Sequence, residues 1–184
     1  MKVIVLDRDG VINEPRKPFL RGPEDWVPLP GAIEAISLLT QWGWRVVLAI
    51  NQSVIGRGLI TVDTMNAIHE RLIKQAATEG GRIHAIFFCP HAADADCACR
   101  KPKPGMLRTI AQRFGVDMAK VPVVGDRLRD LRAAAAIGAQ PWLVRTGFGA
   151  ETEREAASEL PPGTQVVDDL LAVAKMLIAQ ASSR

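Results

Sequence analysis

Lys-Val-Ile-Val-Leu-Asp-Arg-Asp-Gly-Val-Ile-Asn, residues 2–13, is the stretch that decides the fold. Its apolar run ends abruptly at Asp7 and Asp9, and Gly10 lets the backbone turn. Short apolar runs rich in β-branched residues are typical of strands buried on both faces, as in a parallel sheet. Because open α/β sheets bind ligands at the carboxyl ends of their strands, the two carboxylates indicate a functional site. The alternative is an ordinary Asp-Gly turn that ends a strand.

The rest of the chain alternates between strand and helix patterns. The sequence predicts further strands over residues 45–50, 83–88, 121–124 and 141–144, with a short one near 166–167. It predicts helices over residues 31–42, 61–79, 106–114, 127–137 and 168–181, and loops over 14–30, 89–104 and 147–149. Trp42 is expected on the face that adjoins the apolar stripe of the first helix, and Thr61 as the N-cap of the second. The fold class is therefore α/β, a doubly wound parallel sheet with right-handed crossovers.

Composition limits the possible functions. At 184 residues, with 48% hydrophobic and 23% charged residues, the chain is expected to form one soluble domain, residues 1–184. Its net charge of +3 comes from scattered Lys and Arg, and aromatics are only 5%, which favours phosphorylated small molecules over nucleic acid. Asp7 interrupts the N-terminal apolar run, so no signal peptide is expected, and no stretch has membrane-spanning length. We expect a cytoplasmic monomer without a membrane or nucleic-acid partner.

A second carboxylate group follows another strand. Asp126 comes directly after the strand over 121–124, and the first and fourth strands are expected to flank the point where the strand order reverses. Asp7 and Asp126 should then face each other across a crevice. Two such carboxylates repel each other unless a cation lies between them, and Mg²⁺ prefers oxygen ligands of this kind. The sequence therefore predicts a magnesium site.

The loop over 89–104 holds every cysteine of the chain. Cys89, His91, Cys97 and Cys99 give three thiols and an imidazole in Cys-x-His and Cys-x-Cys pairs. This set matches a closed tetrahedral zinc site, so we expect structural Zn²⁺. The alternative is a group of structural or redox cysteines beside an incidental histidine. His69 and His84 have no such neighbours and are expected to be ordinary surface or strand-edge residues.

The motif Asp7-Arg-Asp9-Gly resembles the first motif of the haloacid dehalogenase (HAD) superfamily of phosphatases. The resemblance implies that Asp7 is the nucleophile and Asp9 the general acid and base. Gly-Asp126, followed by Asp130, resembles the fourth motif, which implies that Mg²⁺ is held by the side chains of Asp7 and Asp126 and the backbone carbonyl of Asp9. Asp130 would support them, or would simply be an acid in the first turn of a helix. Lys101 resembles the third-motif lysine, which stabilises the phosphoryl group.

The second motif departs from the superfamily pattern. Where Thr or Ser usually ends the second strand and holds the phosphate, this chain has Ile50. Asn51, Ser53 and the loop amides are expected to replace it.

Within the superfamily, the motifs together resemble the D-glycero-D-manno-heptose 1,7-bisphosphate 7-phosphatases over residues 3–149. The resemblance implies removal of the C7 phosphate from a sugar bisphosphate, a step toward the ADP-heptose of lipopolysaccharide. The spacing leaves only loops between the motifs, so no cap domain is expected. Substrate contacts are then expected from Arg16, Lys17, Asn51, Gln52, Ser53, Arg100 and Arg127. Three alternatives remain: a histidinol-phosphate phosphatase, a polynucleotide 3′-phosphatase, and a non-catalytic zinc-loop binding module.

Overall fold

A computed structural model describes residues 1–182 of the chain. The strands are β1 (Lys2–Leu6), β2 (Trp44–Asn51), β3 (Ile83–Cys89), β4 (Pro122–Gly125), β5 (Gln140–Val144) and β6 (Gln165–Val167). The helices are α1 (Ala32–Gln41), α2 (Ser53–Gly56), α3 (Val62–Thr78), α4 (Gly105–Phe114), α5 (Leu128–Ala135), α6 (Gly149–Glu155) and α7 (Leu170–Ser182). Short 3₁₀ turns occur at Pro23–Asp25, Met118–Lys120 and Ala157–Glu159.

All six strands are parallel, in the order β3-β2-β1-β4-β5-β6. The order reverses at β1, which lies between β2 and β4. The predicted doubly wound sheet is thus confirmed. Because Leu6 is in register with Val124, the residues that follow β1 and β4 emerge side by side at the carboxyl edge.

The sheet is buried on both faces. Ile4 and Leu6 of β1 pack on one side with α1, α3 and α7, while Val3 and Val5 pack on the other with α4 and α5. Successive strand residues point to opposite faces, which is why the central strand is apolar throughout. β1 is therefore held between two cores, and this fixes the position of the turn that carries Asp7 and Asp9.

Some local features differ from the sequence-based expectations. Trp42 is 45% exposed, since α1 ends at Gln41 and Trp42 is its C-cap. α2 and α6 were not predicted. The residues of α6 read Gly-Ala-Glu-Thr-Glu-Arg-Glu, and only Gly149 is buried, so the helix has no apolar stripe that could signal it. Thr61 does cap α3, accepting a hydrogen bond from the Thr64 backbone N–H. Within residues 1–182 no helix has the length and apolarity needed to cross a membrane.

Candidate active site

The turn after β1 sends its two carboxylates into different surroundings. Asp7 is 5% exposed, and its Oδ1 accepts a hydrogen bond from the Arg8 backbone N–H at 2.9 Å. The side chain of Asp9 is 40% exposed and accepts hydrogen bonds from the Arg8 guanidinium and from Asn13. Burial alone would raise the pKa of Asp9, but the charge of Arg8 and these hydrogen bonds hold it below its usual value. The resting site thus has a buried Asp7 and an ionised Asp9 that reaches solvent.

Asp126 is wedged against two bare stretches of backbone. A Cβ on Gly10 would lie 2.0 Å from Asp126 Oδ2, and one on Gly147 would lie 2.4 Å from the same atom. Both glycines have positive φ, 85° and 58°. Glycine is required at both places, because any side chain would displace the carboxylate.

Three buried carboxylates meet at this point. Oxygens of Asp7, Asp126 and Asp130 lie within 4.8 Å of one another. Burial, together with the charges of Asp7 and Asp130, raises the pKa of Asp126 to about 7. Asp126 Oδ2 accepts a hydrogen bond from the Phe148 backbone N–H at 2.9 Å, whereas its buried Oδ1 has no partner among residues 1–182. An unpartnered carboxylate oxygen among other carboxylates is a donor set that fits Mg²⁺.

Lys101 supplies the positive charge next to this cluster. It is 3% exposed; its Nζ donates to the Ala49 carbonyl at 2.7 Å and lies 3.2 Å from Asp7 Oδ1 and 2.7 Å from Asp130 Oδ1. Burial alone would lower the pKa of Lys101, but Asp130 and Asp7 raise it above its usual value. The ammonium group is therefore a fixed, charged hydrogen-bond donor beside the Asp7 carboxylate.

Asp130 has both of the roles that the sequence left open. It lies in the first turn of α5, where Oδ2 accepts a hydrogen bond from the Arg127 backbone N–H at 3.1 Å in a capping box. Its Oδ1 pairs with Lys101. The same carboxylate thus begins the helix and anchors the lysine.

A pocket of about 190 Å³ opens beside Asp9. Six of the seven expected substrate-binding residues line it: Arg16, Lys17, Asn51, Gln52, Ser53 and Arg127. Arg100, the seventh, is not among the lining residues of this pocket in the described chain. Arg8, Arg129 and Phe148 line it too, and sequence reasoning missed them. The Arg127 guanidinium stacks 3.7 Å from the centre of the Phe148 ring, so the pocket wall carries an ordered cation.

The loop after β2 is used differently from what the sequence suggested. Ile50 is 1% exposed and packs in the core, so it makes no polar contact in the site. The Asn51 side chain is bound to the main chain of Lys101 at both its N–H and its carbonyl. Gln52 is 5% exposed and its Oε1 has no partner within residues 1–182, which leaves this amide available to a ligand in the pocket.

The four expected zinc ligands converge. Ligand atoms of Cys89, His91, Cys97 and Cys99 lie within 4.8 Å of one another. His91 Nδ1 is 3.4 Å from Cys89 Sγ and 3.3 Å from Cys99 Sγ. Three thiols and one imidazole nitrogen around one point fit a tetrahedral Zn²⁺ with no open position. The loop also packs tightly on α4, since a Cβ on Gly105 would lie 2.2 Å from the Ala98 carbonyl oxygen.

His69 is not a surface residue, and that expectation was wrong. It is 5% exposed, on the buried side of α3, and its Nε2 lies 3.0 Å from Arg8 Nη1. His84 does lie at the sheet edge, in β3, where Nδ1 accepts a hydrogen bond from the Val46 backbone N–H at 3.2 Å.

The sheet order and the carboxylate cluster are those of a HAD-like hydrolase. A family model described as HAD-hydrolase-like matches residues 98–173. A second, described as polynucleotide kinase 3 phosphatase, matches residues 2–133, which include Asp7, Asp9, Lys101 and Asp126.

Individual relatives narrow this class. The D-glycero-β-D-manno-heptose-1,7-bisphosphate 7-phosphatase of Bordetella bronchiseptica is 53% identical over 181 residues, covering 98% of this chain and 100% of that protein. The Pseudomonas aeruginosa protein of that name is 46% identical over 176 residues, covering 96% and 97%. The crystal structure of the D,D-heptose 1,7-bisphosphate phosphatase from B. bronchiseptica, complexed with magnesium and phosphate, has a TM-score of 0.94 at 53% identity and covers 98% of this chain and 99% of that one. The chain belongs to the D-glycero-β-D-manno-heptose-1,7-bisphosphate 7-phosphatase family.

Proposed function

We propose that this chain is a Mg²⁺-dependent phosphatase that removes the C7 phosphate of D-glycero-β-D-manno-heptose 1,7-bisphosphate. The observation that carries the proposal is the meeting of Asp7, Asp126 and Lys101 at the carboxyl end of β1. The substrate is inferred from relatives such as the B. bronchiseptica phosphatase, which is 53% identical over 98% of the chain. The reaction would be a step in the synthesis of ADP-heptose for lipopolysaccharide.

The reaction has two steps at phosphorus. An Asp7 carboxylate oxygen attacks the C7 phosphorus, forming an aspartyl-phosphate as the bond to the sugar oxygen breaks. Asp9 is ionised at rest, so it first takes a proton from the bound phosphate monoester and gives it to that oxygen; it later takes one from the water that attacks the aspartyl-phosphate. Inorganic phosphate leaves and the Asp7 carboxylate is restored. Lys101, held by Ala49 and Asp130, stabilises the negative charge on the phosphoryl oxygens without having to move.

The Mg²⁺ would be held by the side chains of Asp7 and Asp126 and by the Asp9 carbonyl. The unpartnered Asp126 Oδ1 and the raised pKa of that carboxyl support this placement. When bound, the ion neutralises charge on the transferring phosphoryl group and lets the carboxylates stay ionised. The B. bronchiseptica relative, crystallised with magnesium and phosphate, agrees with the proposal.

The rest of the substrate would lie in the pocket beside Asp9. Arg16, Lys17, Arg127 and Arg129 give it a cationic lining suited to the second phosphate, at C1. Gln52 and Ser53 offer hydrogen bonds to sugar hydroxyls. Arg100 lies outside this pocket and is better placed as part of the zinc loop. With only a loop and one 3₁₀ turn between Asn13 and Gly31, the site would select its substrate without a cap domain.

The Cys/His loop would hold one structural Zn²⁺. Four protein ligands leave no open position for catalysis. Lys101 follows Cys99 by two residues, so closing the loop around a metal would set the course of the chain into Lys101. We further infer a monomeric, single-domain cytoplasmic enzyme with a small-molecule substrate and no nucleic-acid or membrane partner.

A polynucleotide 3′-phosphatase is the second candidate, because the family model of that description matches residues 2–133. Phosphate release with Mg²⁺ separates the two. The panel contains both anomers of the heptose bisphosphate, fructose 1,6-bisphosphate, histidinol phosphate and a 3′-phosphorylated oligonucleotide. The highest kcat/KM is expected for the β-anomer; preference for the oligonucleotide or histidinol phosphate would overturn the proposed substrate, and no turnover would favour a binding module.

A further inference from the structure

A line of buried side chains connects α3 to Asp9. The Arg8 side chain is 1% exposed, and its guanidinium forms a two-pronged contact with Asp9: Nε to Oδ1 at 3.1 Å and Nη2 to Oδ2 at 2.9 Å. Its remaining nitrogen, Nη1, lies 3.0 Å from Nε2 of His69, which is 61 residues away in sequence. The chemistry described so far uses neither Arg8 nor His69.

The contact fixes the protonation of the histidine ring. Arginine has only donors, so His69 Nε2 must accept the hydrogen bond and the ring proton must lie on Nδ1. Burial, together with the charge of Arg8, lowers the pKa of His69 to about 4, against a small opposing effect of Asp9. The ring is therefore a neutral acceptor at neutral pH.

The acceptor matters because of how Arg8 is placed. A buried guanidinium must satisfy its N–H groups, and a fork-shaped contact with a carboxylate holds only if the plane of the guanidinium is fixed. His69 fixes that plane from the side opposite Asp9. Asn13 Nδ2 adds one hydrogen bond to Asp9 Oδ1, at 2.9 Å, so Oδ2 depends on Arg8 alone among the hydrogen bonds that the described chain makes to it.

We propose that His69 is a positioning residue for proton transfer: its Nε2 orients the Arg8 guanidinium, which in turn orients the Asp9 carboxylate at the pocket. The inference rests on the phosphatase function proposed above. Asp9 can protonate the sugar oxygen only if its carboxylate is held in one defined position. His69 of α3 fixes that position through Arg8, although its own side chain does not reach the pocket. Without the His69 acceptor, the Arg8 and Asp9 side chains would adopt several orientations instead of one.

The test compares His69→Leu with His69→Gln, whose amide oxygen restores an acceptor. With heptose bisphosphate we expect His69→Leu to lower kcat about tenfold, a part of what general acid–base catalysis contributes, with KM changed less than about twofold. His69→Gln should recover most of the loss. An unchanged kcat in His69→Leu, or equal losses in both variants, would overturn the inference.

A second readout separates positioning from general damage to the fold. 2,4-Dinitrophenyl phosphate has a leaving group that needs no proton, so its first turnover should proceed at the wild-type rate in His69→Leu; an equal loss there would contradict a role through Asp9. On the wild-type protein, ¹⁵N NMR at pH 7 should show His69 neutral with its proton on Nδ1, and a proton on Nε2 would overturn the inference without any variant. A wild-type protein that hydrolyses neither ester would instead refute the phosphatase function itself.

Discussion

Asn51 holds the main chain of Lys101 at two points: its Oδ1 accepts from the Lys101 N–H at 3.1 Å, and its Nδ2 donates to the Lys101 carbonyl at 3.0 Å. The end of β2 and the zinc loop are joined by this pair of hydrogen bonds. The Lys101 ammonium also donates to the Ala49 carbonyl of β2. The main chain and the side chain of Lys101 are therefore both held by β2. The position of the cation beside Asp7 is thus set by the sheet.

Replacing Asn51 should therefore displace Lys101, to which it is hydrogen-bonded. Asn51→Ala removes both hydrogen bonds and is expected to lower kcat by about tenfold or more through displacement of Lys101. Steady-state kinetics test this, with the exposed Asn66→Ala on α3 as the matched control. If KM rose while kcat stayed constant, Asn51 would instead bind substrate directly.

Asp7→Asn should abolish turnover and keep the fold. The variant lacks the nucleophile, so we expect a fall in kcat of about 10⁴-fold or more. Burial raises the pKa of Asp7 against the opposing effect of Lys101, and a neutral amide removes the cost of burying that charge, so the melting temperature should not fall much. Phosphate release and thermal unfolding measure the two effects; an active variant would remove the proposed mechanism.

Asp126→Asn should act through the metal. The amide oxygen can still accept from the Phe148 N–H, but one negative charge is lost at the site. The Mg²⁺ concentration for half-maximal activity is expected to rise by about 10-fold or more. Titration calorimetry with Mg²⁺ should show the same loss, while Asp63→Asn, an exposed residue in α3, should leave both values unchanged. Equal Mg²⁺ affinity in Asp126→Asn and wild type would exclude Asp126 as a ligand.

Cys97→Ser should release the zinc. The purified protein is expected to contain about one Zn²⁺ per chain, as a closed four-ligand site requires, and the variant much less. Because the loop leads into Lys101, thermal stability and kcat should both decrease. Asp94→Ala, an exposed change in the same loop, is the control. Wild-type stability and activity in a zinc-free Cys97→Ser protein would show that the metal does not support the site.

Alanine substitutions at two glycines with similar φ can distinguish the effect of backbone strain from the effect of displacing Asp126. Gly147 and Gly58 have φ of 58° and 68°, but a Cβ on Gly147 would lie 2.4 Å from Asp126 Oδ2, whereas one on Gly58 would meet nothing within 4 Å. Alanine at either position is expected to cost about 1–2 kcal/mol of stability from the positive φ. Only Gly147→Ala should also lose activity, since it displaces Asp126. Equal activities in the two variants would contradict the close packing described for this site.

The sequence predicted those site residues that lie close together in the chain or directly follow a strand, and it did not predict other contacts between distant residues. Asp7, Asp126 and the zinc ligands follow strand ends or lie in one loop, so their spacing and the sheet topology were enough to bring them together. The contact of Arg8 with His69 joins residues far apart in sequence, and nothing near His69 announces it. A signal did exist: His69 follows Met65 by four residues, in the stripe that α3 buries. Phe148 precedes α6, whose charged sequence gives no helical pattern. The sequence therefore contained no sign that Phe148 would line the pocket.

The most direct test of the account is ³¹P NMR of D-glycero-β-D-manno-heptose 1,7-bisphosphate during digestion by the wild-type protein with Mg²⁺. If the enzyme acts as proposed, the C7 phosphate signal should disappear, inorganic phosphate should appear at the same rate, and the C1 phosphate signal should remain. Loss of the C1 phosphate, or an unchanged spectrum under conditions where another ester of the panel is hydrolysed, would contradict it.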